Sequence, residues 1–209
     1  NCTKSKLITN LVTATCDKEI FKFVNSIKKE VVMTSKKHTR ASDRVCEAVK
    51  ILEKRKKRKY KIVVMIQGDE PMITGQMIDI ALKPIMREKS INVINLMGPI
   101  ISKKELFNKN TIKVVCDRKM NAIYFSRSVI PNFKKFKNNY FFKQVCVIPF
   151  KRDFLFKYSS LKETKLEKAE SIDMLRVIEN NFKVKLVKIP HYTHAVDSLK
   201  DLKIVEQLI

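Results

Sequence analysis

The stretch VVMIQGDEPMI, residues 63–73, joins a run of apolar residues to a glycine and two adjacent carboxylates. The longer run at residues 60–67 is continuous and apolar, which is typical of a strand buried on both faces of a parallel sheet. Gly68 follows this strand and would let the backbone approach a ligand closely. Asp69 and Glu70 could hold a hard cation such as Mg²⁺, but Gly-Asp-Glu-Pro also favours a turn whose acids cap the next helix. Alone, the stretch favours the turn slightly over a metal site.

Strand-like and helix-like patterns alternate along the first half of the chain. Runs rich in β-branched residues predict strands at residues 10–15, 30–34, 60–67 and 91–98. Amphipathic patterns predict helices at residues 17–27, 41–54 and 74–88. Asp17 is expected to cap the first of these helices, and Pro84 is expected to interrupt the third. The alternation predicts an α/β three-layer sandwich with a mostly parallel, Rossmann-like sheet.

The middle of the chain has a different pattern. Residues 111–150 contain β-rich runs separated by short turns, which predicts a strand insertion or an extra sheet. Helical patterns return after residue 151, with one helix expected at residues 166–181 and a last one from Ser198. No long linker divides the chain, so residues 1–209 are interpreted as one domain.

The composition narrows the class of protein. The formal net charge is +23, and the basic cluster at residues 53–61 could attract a polyanion. Because the excess lysine is spread along the whole chain, nucleic acid is not expected as the partner.

Five scattered cysteines without a CxxC pair are typical of free thiols in a reducing cytoplasm. No apolar run approaches the about 20 residues that cross a membrane, so we expect a cytoplasmic protein.

A second carboxylate, Asp197, ends a short strand and precedes a helix. Ser198 and Asp201 form a capping box, so Asp197 could simply favour the positive end of that helix. In open parallel sheets, however, ligands bind at the carboxyl ends of the strands, where Asp69 and Asp197 could meet. Two carboxylates at that edge would suit a metal ion bridged to phosphates.

Two further segments carry polar side chains that suit ligands. His38, Ser42 and Arg44 lie in or near a loop that leads into a helix, and they could contact a base or ribose. Asp43 as a helix cap, with His38 exposed, is an equally good interpretation. Arg127 follows a strand and could clamp an acid with a bidentate fork, although an exposed arginine fits the pattern equally well.

Three acids, Glu167, Glu170 and Asp173, fall on the helix predicted at residues 166–181. The apolar residues of that helix form a separate stripe that would face the core. The pattern therefore favours solvent-exposed positions for the three acids. The chain contains no Walker loop, nicotinamide fingerprint, Ser-His-Asp elbow or HExxH zinc helix.

Several stretches follow one another in order along nearly the whole chain: ATCDKEI, VVMTSKKHTRASDRVCEAV, VVMIQGDEPMI, NTIKVVCDRKMNAIYFSRSVIP, KQVCVIPFKRDFLFKYSSL, LEKAESIDMLRVIENNFKVKLV and HAVDSLKDLKIVE. Together they resemble the bacterial CMP-sugar synthetases, and most closely the 3-deoxy-manno-octulosonate (Kdo) cytidylyltransferase family. The QGDEP and YFSR-x-x-IP elements are specific to this pattern.

The resemblance implies a nucleotidyltransferase of the nucleotide-diphospho-sugar transferase fold. Such an enzyme joins CTP to a 2-keto-3-deoxy sugar acid and releases pyrophosphate, for lipopolysaccharide or capsule synthesis. Mg²⁺ is the implied cofactor, and a homodimer is the implied assembly, with the insertion at residues 111–150 dimerising and covering the sugar. By motif position the implied roles are catalysis and metal binding for Asp69 and Asp197, nucleotide binding for Ser42, Arg44, Gln67 and Gly68, and sugar binding for Gln67, Arg127, Gln144 and Asp173.

Two departures from the family pattern stand out. The family begins with a phosphate loop of the kind A-R-x-x-S-x-R-x-P-x-K, and nothing before Asn10 resembles it. The chain is therefore interpreted as lacking about 30 N-terminal residues, and we expect inefficient CTP binding and turnover. Gln144 and Ile148 replace a histidine and a tyrosine, and Asp173 and Met174 replace a Glu-Gln pair, which should alter sugar selectivity. A CMP-nonulosonate synthetase and a non-catalytic basic nucleic-acid-binding protein are the alternatives.

Overall fold

The computed structural model describes residues 1–133 and 140–208. Its strands are β1 (Thr13–Thr15), β2 (Val31–Met33), β3 (Ile62–Ile66), β4 (Ile94–Pro99), β5 (Lys113–Cys116), β6 (Ala122–Ser126), β7 (Phe142–Val145), β8 (Val147–Lys151) and β9 (Lys185–Lys188). Its α-helices are α1 (Lys18–Ser26), α2 (Ala41–Lys56), α3 (Gly75–Arg87), α4 (Lys103–Phe107), α5 (Arg152–Ser160), α6 (Lys165–Glu170), α7 (Asp173–Glu179) and α8 (Leu199–Glu206). Residues 134–139 of the predicted insertion lie outside the described residues.

The strands combine parallel and antiparallel pairing. β1 pairs with β2, and β4 with β9, in parallel. The pairs β3–β8, β4–β7, β5–β6 and β5–β7 are antiparallel, and the longest ladder has the order β6-β5-β7-β4-β9. The predicted α/β class is confirmed, but in the described residues the sheet is mixed and not mostly parallel.

The mixed pairing arises in the segment that forms β7 and β8. Only Cys146 separates these strands, yet β7 pairs with β4 whereas β8 pairs with β3. The segment therefore runs as one extended chain that changes partner at Cys146 and is antiparallel to both neighbours. A bridge between Val93 and Phe150 joins β8 to the start of the β4 segment. This extended segment thus connects β3 to β4, which a simple β-α alternation does not predict.

Local capping explains where several helices begin. The Asp17 carboxylate accepts two backbone N–H groups of α1, at 2.7 and 3.0 Å, as predicted. Thr74 caps α3, and Ser198 caps α8 as predicted. Asp43 lies inside the first turn of α2 and does not cap it. The predicted interruption at Pro84 is wrong: α3 continues to Arg87, because a proline in the last turn removes few helical hydrogen bonds.

Two hydrophobic clusters cover the two faces of the sheet. One packs α2, α5 and α7 against the sheet, and the other packs α3 against β3, β4 and β8. Along β3, Val63 and Met65 contact the first cluster, whereas Val64 and Ile66 contact the second. The apolar side chains at residues 62–66 therefore pack on both faces of the sheet, as predicted. The sheet lies between two helix layers.

Two predictions from composition can be compared directly with the structure. All five cysteines are free thiols, as predicted. Within the residues that the structure describes, no helix combines the length and apolar character needed to cross a membrane.

Candidate active site

The QGDEP turn follows β3 at one edge of the sheet. The Gln67 N–H donates to the carbonyl of Cys146 at 3.3 Å, and the Gln67 carbonyl accepts from the N–H of Glu70 at 3.3 Å. Gly68 is exposed on this turn, and apart from its two chain neighbours no atom of the described residues lies within 4 Å of the position that a Cβ would take there. Packing does not require a glycine here, so the open space is available for a ligand to approach the backbone.

The C-terminal segment reaches this turn through one backbone hydrogen bond. The N–H of Val196 donates to the carbonyl of Asp69 at 2.8 Å. The next residue, Asp197, therefore lies beside the QGDEP turn, although the two segments are far apart in sequence. Asp69 and Asp197 both line one cleft, whose other lining residues include Gln67, Glu70, Arg127, Lys143 and Gln144. The structure thus brings together the two carboxylates that the sequence singled out. The short strand expected to end at Asp197 is wrong: β9 ends at Lys188, and Val196 bonds to a turn instead of to a neighbouring strand.

Glu70 is a third acid of this cleft. It is buried, and its Oε1 accepts the N–H of Cys146 at 3.0 Å, at the point where the extended β7–β8 segment changes partner. The interpretation of Glu70 as a helix-start residue is wrong, because α3 begins only at Gly75 with Thr74 as its cap. Sequence reasoning missed this role because the partner of Glu70 is a backbone group 76 residues away.

Two carboxyl groups of the cleft, Asp69 and Glu70, have raised pKa values. Burial raises the pKa of Asp69, and the charge of Asp197 raises it further. Burial also raises the pKa of Glu70, with smaller contributions from the charges of Asp69 and Asp197, while the Cys146 N–H and Lys143 act in the opposite direction. Within the described residues, Asp69 Oδ1 and Glu70 Oε2 are buried without a hydrogen-bond partner.

Unpartnered carboxylate oxygens at the end of a strand fit a hard divalent cation. Mg²⁺ prefers oxygen ligands and is usually held by one or two protein carboxylates together with substrate phosphates. The described residues contain no cluster of three or more His, Cys, Asp or Glu side chains arranged as a complete metal site. The donor set at Asp69 and Asp197 therefore fits a cation shared with a phosphate better than a cation enclosed by protein alone.

Arg127 and Gln144 also line the cleft. The Arg127 side chain donates from Nε to the carbonyl of Glu170 at 2.7 Å and from Nη1 to the carbonyl of Lys109 at 3.1 Å. Gln144 Nε2 donates to Asn95 Oδ1 at 2.6 Å. Backbone and side-chain partners thus hold both groups on the cleft wall. The enclosed volume, about 280 Å³, is close to the about 300 Å³ at which small-ligand pockets begin.

Lys143 is a further cation in the cleft that the sequence did not reveal. It is buried, and its Nζ forms an ion pair with Glu105 and donates to the carbonyl of Thr193 at 2.5 Å. The ammonium also lies 4.5 Å from the centre of the Tyr192 ring. These contacts fix the start of the C-terminal segment that carries Asp197. The only local signal was an inward-facing position on a short strand.

Ser42, Arg44 and Asp173 do not line this cleft. Ser42 is fully buried, and its hydroxyl donates to Asp173 Oδ2 at 2.8 Å. Arg44 Nη1 donates to Thr34 Oγ1 at 2.7 Å and so fixes the loop before α2. His38 is not simply exposed, because its ring Nε2 lies 2.5 Å from Glu47 Oε2. The structure therefore separates these candidates from the group around Asp69.

The prediction that Glu167, Glu170 and Asp173 are solvent-exposed is wrong. Glu167 is fully buried and pairs with Arg176 at 2.6 and 2.7 Å. Glu170 accepts the N–H of Arg127 at 2.8 Å, and burial raises the pKa of Asp173. The reason is a break in the predicted helix: Ser171 adopts a left-handed conformation, with φ 55°, between α6 and α7. A single helical periodicity therefore assigns the acids to the wrong face.

Comparison with known proteins gives consistent results. A sequence model of the family described as Cytidylyltransferase matches residues 1–189. The chain is 37% identical to the 3-deoxy-manno-octulosonate cytidylyltransferase of Fusobacterium nucleatum subsp. nucleatum, over 96% of this chain and 80% of that protein. It is 35% identical to the enzyme of that name from Geobacter metallireducens, over 98% of this chain and 83% of that protein.

Solved structures show the same relationship. The chain superposes with a TM-score of 0.86 and 28% identity on a CMP:2-keto-3-deoxy-manno-octonic acid synthetase complexed with CTP, over 99% of this chain and 83% of that one. The chain shares only its fold with a 4-diphosphocytidyl-2C-methyl-D-erythritol synthase from Anaerococcus prevotii. That protein is 15% identical, with a TM-score of 0.60 over 99% of this chain and 81% of that one.

The layered mixed sheet, with carboxylates at the end of β3 and with Arg127 and Lys143 in the same cleft, is that of a nucleotidyltransferase enzyme. Enzymes of this class commonly use a divalent metal. The chain belongs to the cytidylyltransferase family, and within it to the 3-deoxy-manno-octulosonate cytidylyltransferases.

Proposed function

We propose that this chain transfers the cytidylyl group of CTP to Kdo and gives CMP-Kdo and pyrophosphate, in the cytoplasm, for lipopolysaccharide or capsule synthesis. The anomeric hydroxyl oxygen of the sugar attacks the α-phosphorus, and the bond from that phosphorus to the oxygen shared with the β-phosphate breaks. Pyrophosphate leaves with that oxygen, and the hydroxyl proton passes to solvent. The observation that carries the proposal is the cleft that Asp69, Asp197 and Arg127 line together. The match to a relative whose solved structure contains CTP supports the nucleotide.

The two sides of the cleft suit the two halves of the reaction. Asp69 and Asp197 would form the part of the cleft that meets the triphosphate and would hold Mg²⁺ there. Bound there, Mg²⁺ would supply charge neutralisation to the triphosphate and to the leaving pyrophosphate. The main task of the protein is to hold the reacting groups in line, because phosphoryl-type transfers depend mostly on positioning and electrostatics.

On the opposite side, Arg127 would bind the sugar carboxylate, and Gln67 and Gln144 would donate to or accept from sugar hydroxyls. Arg127 is well suited to this task because its Nε and Nη1 are already fixed by two backbone carbonyls. The open space at Gly68 would allow the nucleotide to pass close to the backbone. Each of these contacts is polar, so each would contribute to selectivity for a hydroxylated acid.

Ser42, Arg44 and Asp173 would act on the nucleotide and sugar less directly than their motif positions imply. Arg44 fixes the loop before α2 through Thr34 and the carbonyl of Ser35. The Ser42–Asp173 hydrogen bond ties α2 to α7. We infer that these residues shape the cytidine side of the protein. The single domain over residues 1–209 and the role of residues 111–150 in a homodimer belong to the same proposal.

The test is incubation of the protein with CTP, Mg²⁺ and Kdo, with pyrophosphate release as the readout. Asp69→Asn and Asp197→Asn are each expected to lower turnover by at least about a hundredfold. Asp153→Asn, whose side chain is 90% exposed, is the matched control and should keep full activity. If each of the two single variants keeps wild-type turnover, the assignment of the site is refuted.

A second candidate, a CMP-nonulosonate synthetase, is favoured by one observation. Gln144 stands where the family commonly has a histidine, and because its amide nitrogen donates to Asn95, it would offer a ligand mainly its amide oxygen. Parallel assays with a nine-carbon keto-acid sugar decide between the candidates. Pyrophosphate release with that sugar and none with Kdo would replace the first proposal by the second.

A further inference from the structure

A buried lysine, Lys113, lies behind the wall of the cleft that carries Arg127. It belongs to β5, and 0% of its surface is exposed. Lysine is almost never fully buried unless its charge is paired. In the described residues no carboxylate forms an ion pair with Lys113, so its charge must be accommodated by another arrangement.

Three backbone carbonyls surround the ammonium group. Lys113 Nζ donates to the carbonyls of Asn108 at 2.9 Å, Thr111 at 2.7 Å and Arg127 at 2.6 Å. An ammonium group has three N–H donors, so each donor has one partner. The charged groups that face Lys113 are Arg127 after β6, Glu170 on α6 and Lys143, its directly opposed neighbour on β7.

The ammonium form is the one that fits these partners. Burial, with a smaller contribution from the charge of Arg127, lowers the pKa of Lys113 to about 8, although Glu170 acts in the opposite direction. At pH 7 the ammonium form still predominates. A neutral amine would offer only two N–H donors and would leave one of these three carbonyls without its donor.

We propose that Lys113 is a positioning residue for the sugar-acid side of the cleft. Asn108 and Thr111 line the cleft themselves, and so does Arg127. Lys113 holds the loop at residues 108–111 and the backbone of Arg127 at a fixed separation, so the wall is ordered before the substrate arrives. The assignment of this wall to the sugar acid rests on the proposed function, whereas the ordering of the wall does not.

The test compares Lys113→Met with Lys104→Met, an exposed lysine of α4. Lys113→Met is expected to raise the KM for the sugar acid by about tenfold to a hundredfold, because small displacements of binding groups have effects of that size. The KM for CTP should change by less than about twofold, since the carboxylate side does not contact Lys113. Lys104→Met should change neither. Equal increases in both KM values would overturn the proposal.

Hydrogen exchange supplies a readout that needs no activity. In Lys113→Met the amides of Asn108, Asn110 and Arg127, each hydrogen-bonded within this wall, should exchange about tenfold faster. The amides of the β4–β9 ladder should not change. Uniform acceleration, or none, would show that Lys113 is only a core residue. If no keto-acid sugar is activated by the wild type, the proposed function fails while this pattern still decides the role of Lys113.

The conservative variant covers the case in which Lys113→Met does not fold. Lys113→Arg keeps a cation with N–H donors but changes their geometry. It should show the same selective rise in the KM for the sugar acid and the same local exchange pattern, each smaller than in Lys113→Met. A variant with wild-type values in both measurements would overturn the proposal.

Discussion

Replacing Glu70 by Gln should stabilise the metal-free protein and impair its function. Glu70 is buried, its Oε2 has no hydrogen-bond partner among the described residues, and Asp69 and Asp197 lie close enough to raise its pKa. A glutamine keeps the Oε1 acceptor for the N–H of Cys146. It also replaces the unpartnered oxygen by an NH₂ group, which can donate to the neighbouring carboxylates.

The magnitude follows from the cost of a buried, unsatisfied polar group. That cost is about 1–3 kcal/mol, and we expect Glu70→Gln to recover about 1–2 kcal/mol of it. For a chain of 209 residues this corresponds to a rise in Tm of about 2–8 °C. The effect should be largest in EDTA, because a bound cation would offset the same charge repulsion in the wild type.

The pH dependence has a definite sign. A carboxyl group whose pKa is higher in the folded than in the unfolded state lowers the stability of the fold at every pH above its unfolded pKa, because the folded state disfavours the ionised form. The advantage of Glu70→Gln is therefore present at neutral pH. It shrinks as the pH falls through the raised pKa of Glu70 and vanishes below the ordinary value of about 4.3.

Thermal denaturation in EDTA and in saturating Mg²⁺, at several pH values, measures this prediction. Glu88→Gln is the matched control, because it removes one negative charge at an exposed position of a chain whose net charge is already +23. Pyrophosphate release should fall in Glu70→Gln and not in Glu88→Gln. A lower Tm for Glu70→Gln in EDTA at pH 7 would refute the argument that Glu70 is held in an unfavourable environment.

Two further substitutions test the buried cations. Lys143→Met removes the ammonium that joins Glu105 to the carbonyl of Thr193, close to Asp197. Half-maximal turnover should then need about 10–100 times more Mg²⁺. An unchanged Mg²⁺ titration would contradict this expectation. Glu167→Gln leaves the buried Arg176 without its carboxylate and should lower the free energy of unfolding in urea by about 3–5 kcal/mol. Glu163→Gln, at a more exposed contact with Arg40, should cost at most about 1 kcal/mol, and equal losses in the two variants would refute the distinction.

Much of the fold follows from local patterns in the sequence. The apolar run before Gly68 predicts β3 and its burial on both faces, because strand residues alternate between the two sides of a sheet. Asp17 and Ser198 predict helix starts, because a side-chain cap acts within three residues. The break at Ser171 had no such signal, since a left-handed serine interrupts a pattern that is amphipathic on both sides of it.

The candidate site is only partly predictable for the same reason. Asp69, Asp197 and Arg127 carry motif signals, and all three line the cleft. The contacts of Glu70, although it belongs to QGDEP, and of Lys143 could not be predicted, because their partners are groups about 40 to 76 residues away along the chain.

The sequence by itself determined the family, the alternation of strands and helices, and two carboxylates of the cleft, Asp69 after β3 and Asp197 before α8. Only the tertiary structure decided that the β7–β8 segment changes partner at Cys146 and that Val196 joins the QGDEP turn. It also decided that Lys113 is buried among three carbonyls. The physical reason is that periodicity and capping act over a few residues, whereas a backbone hydrogen bond or a buried ammonium is satisfied by whatever the folded chain brings within reach.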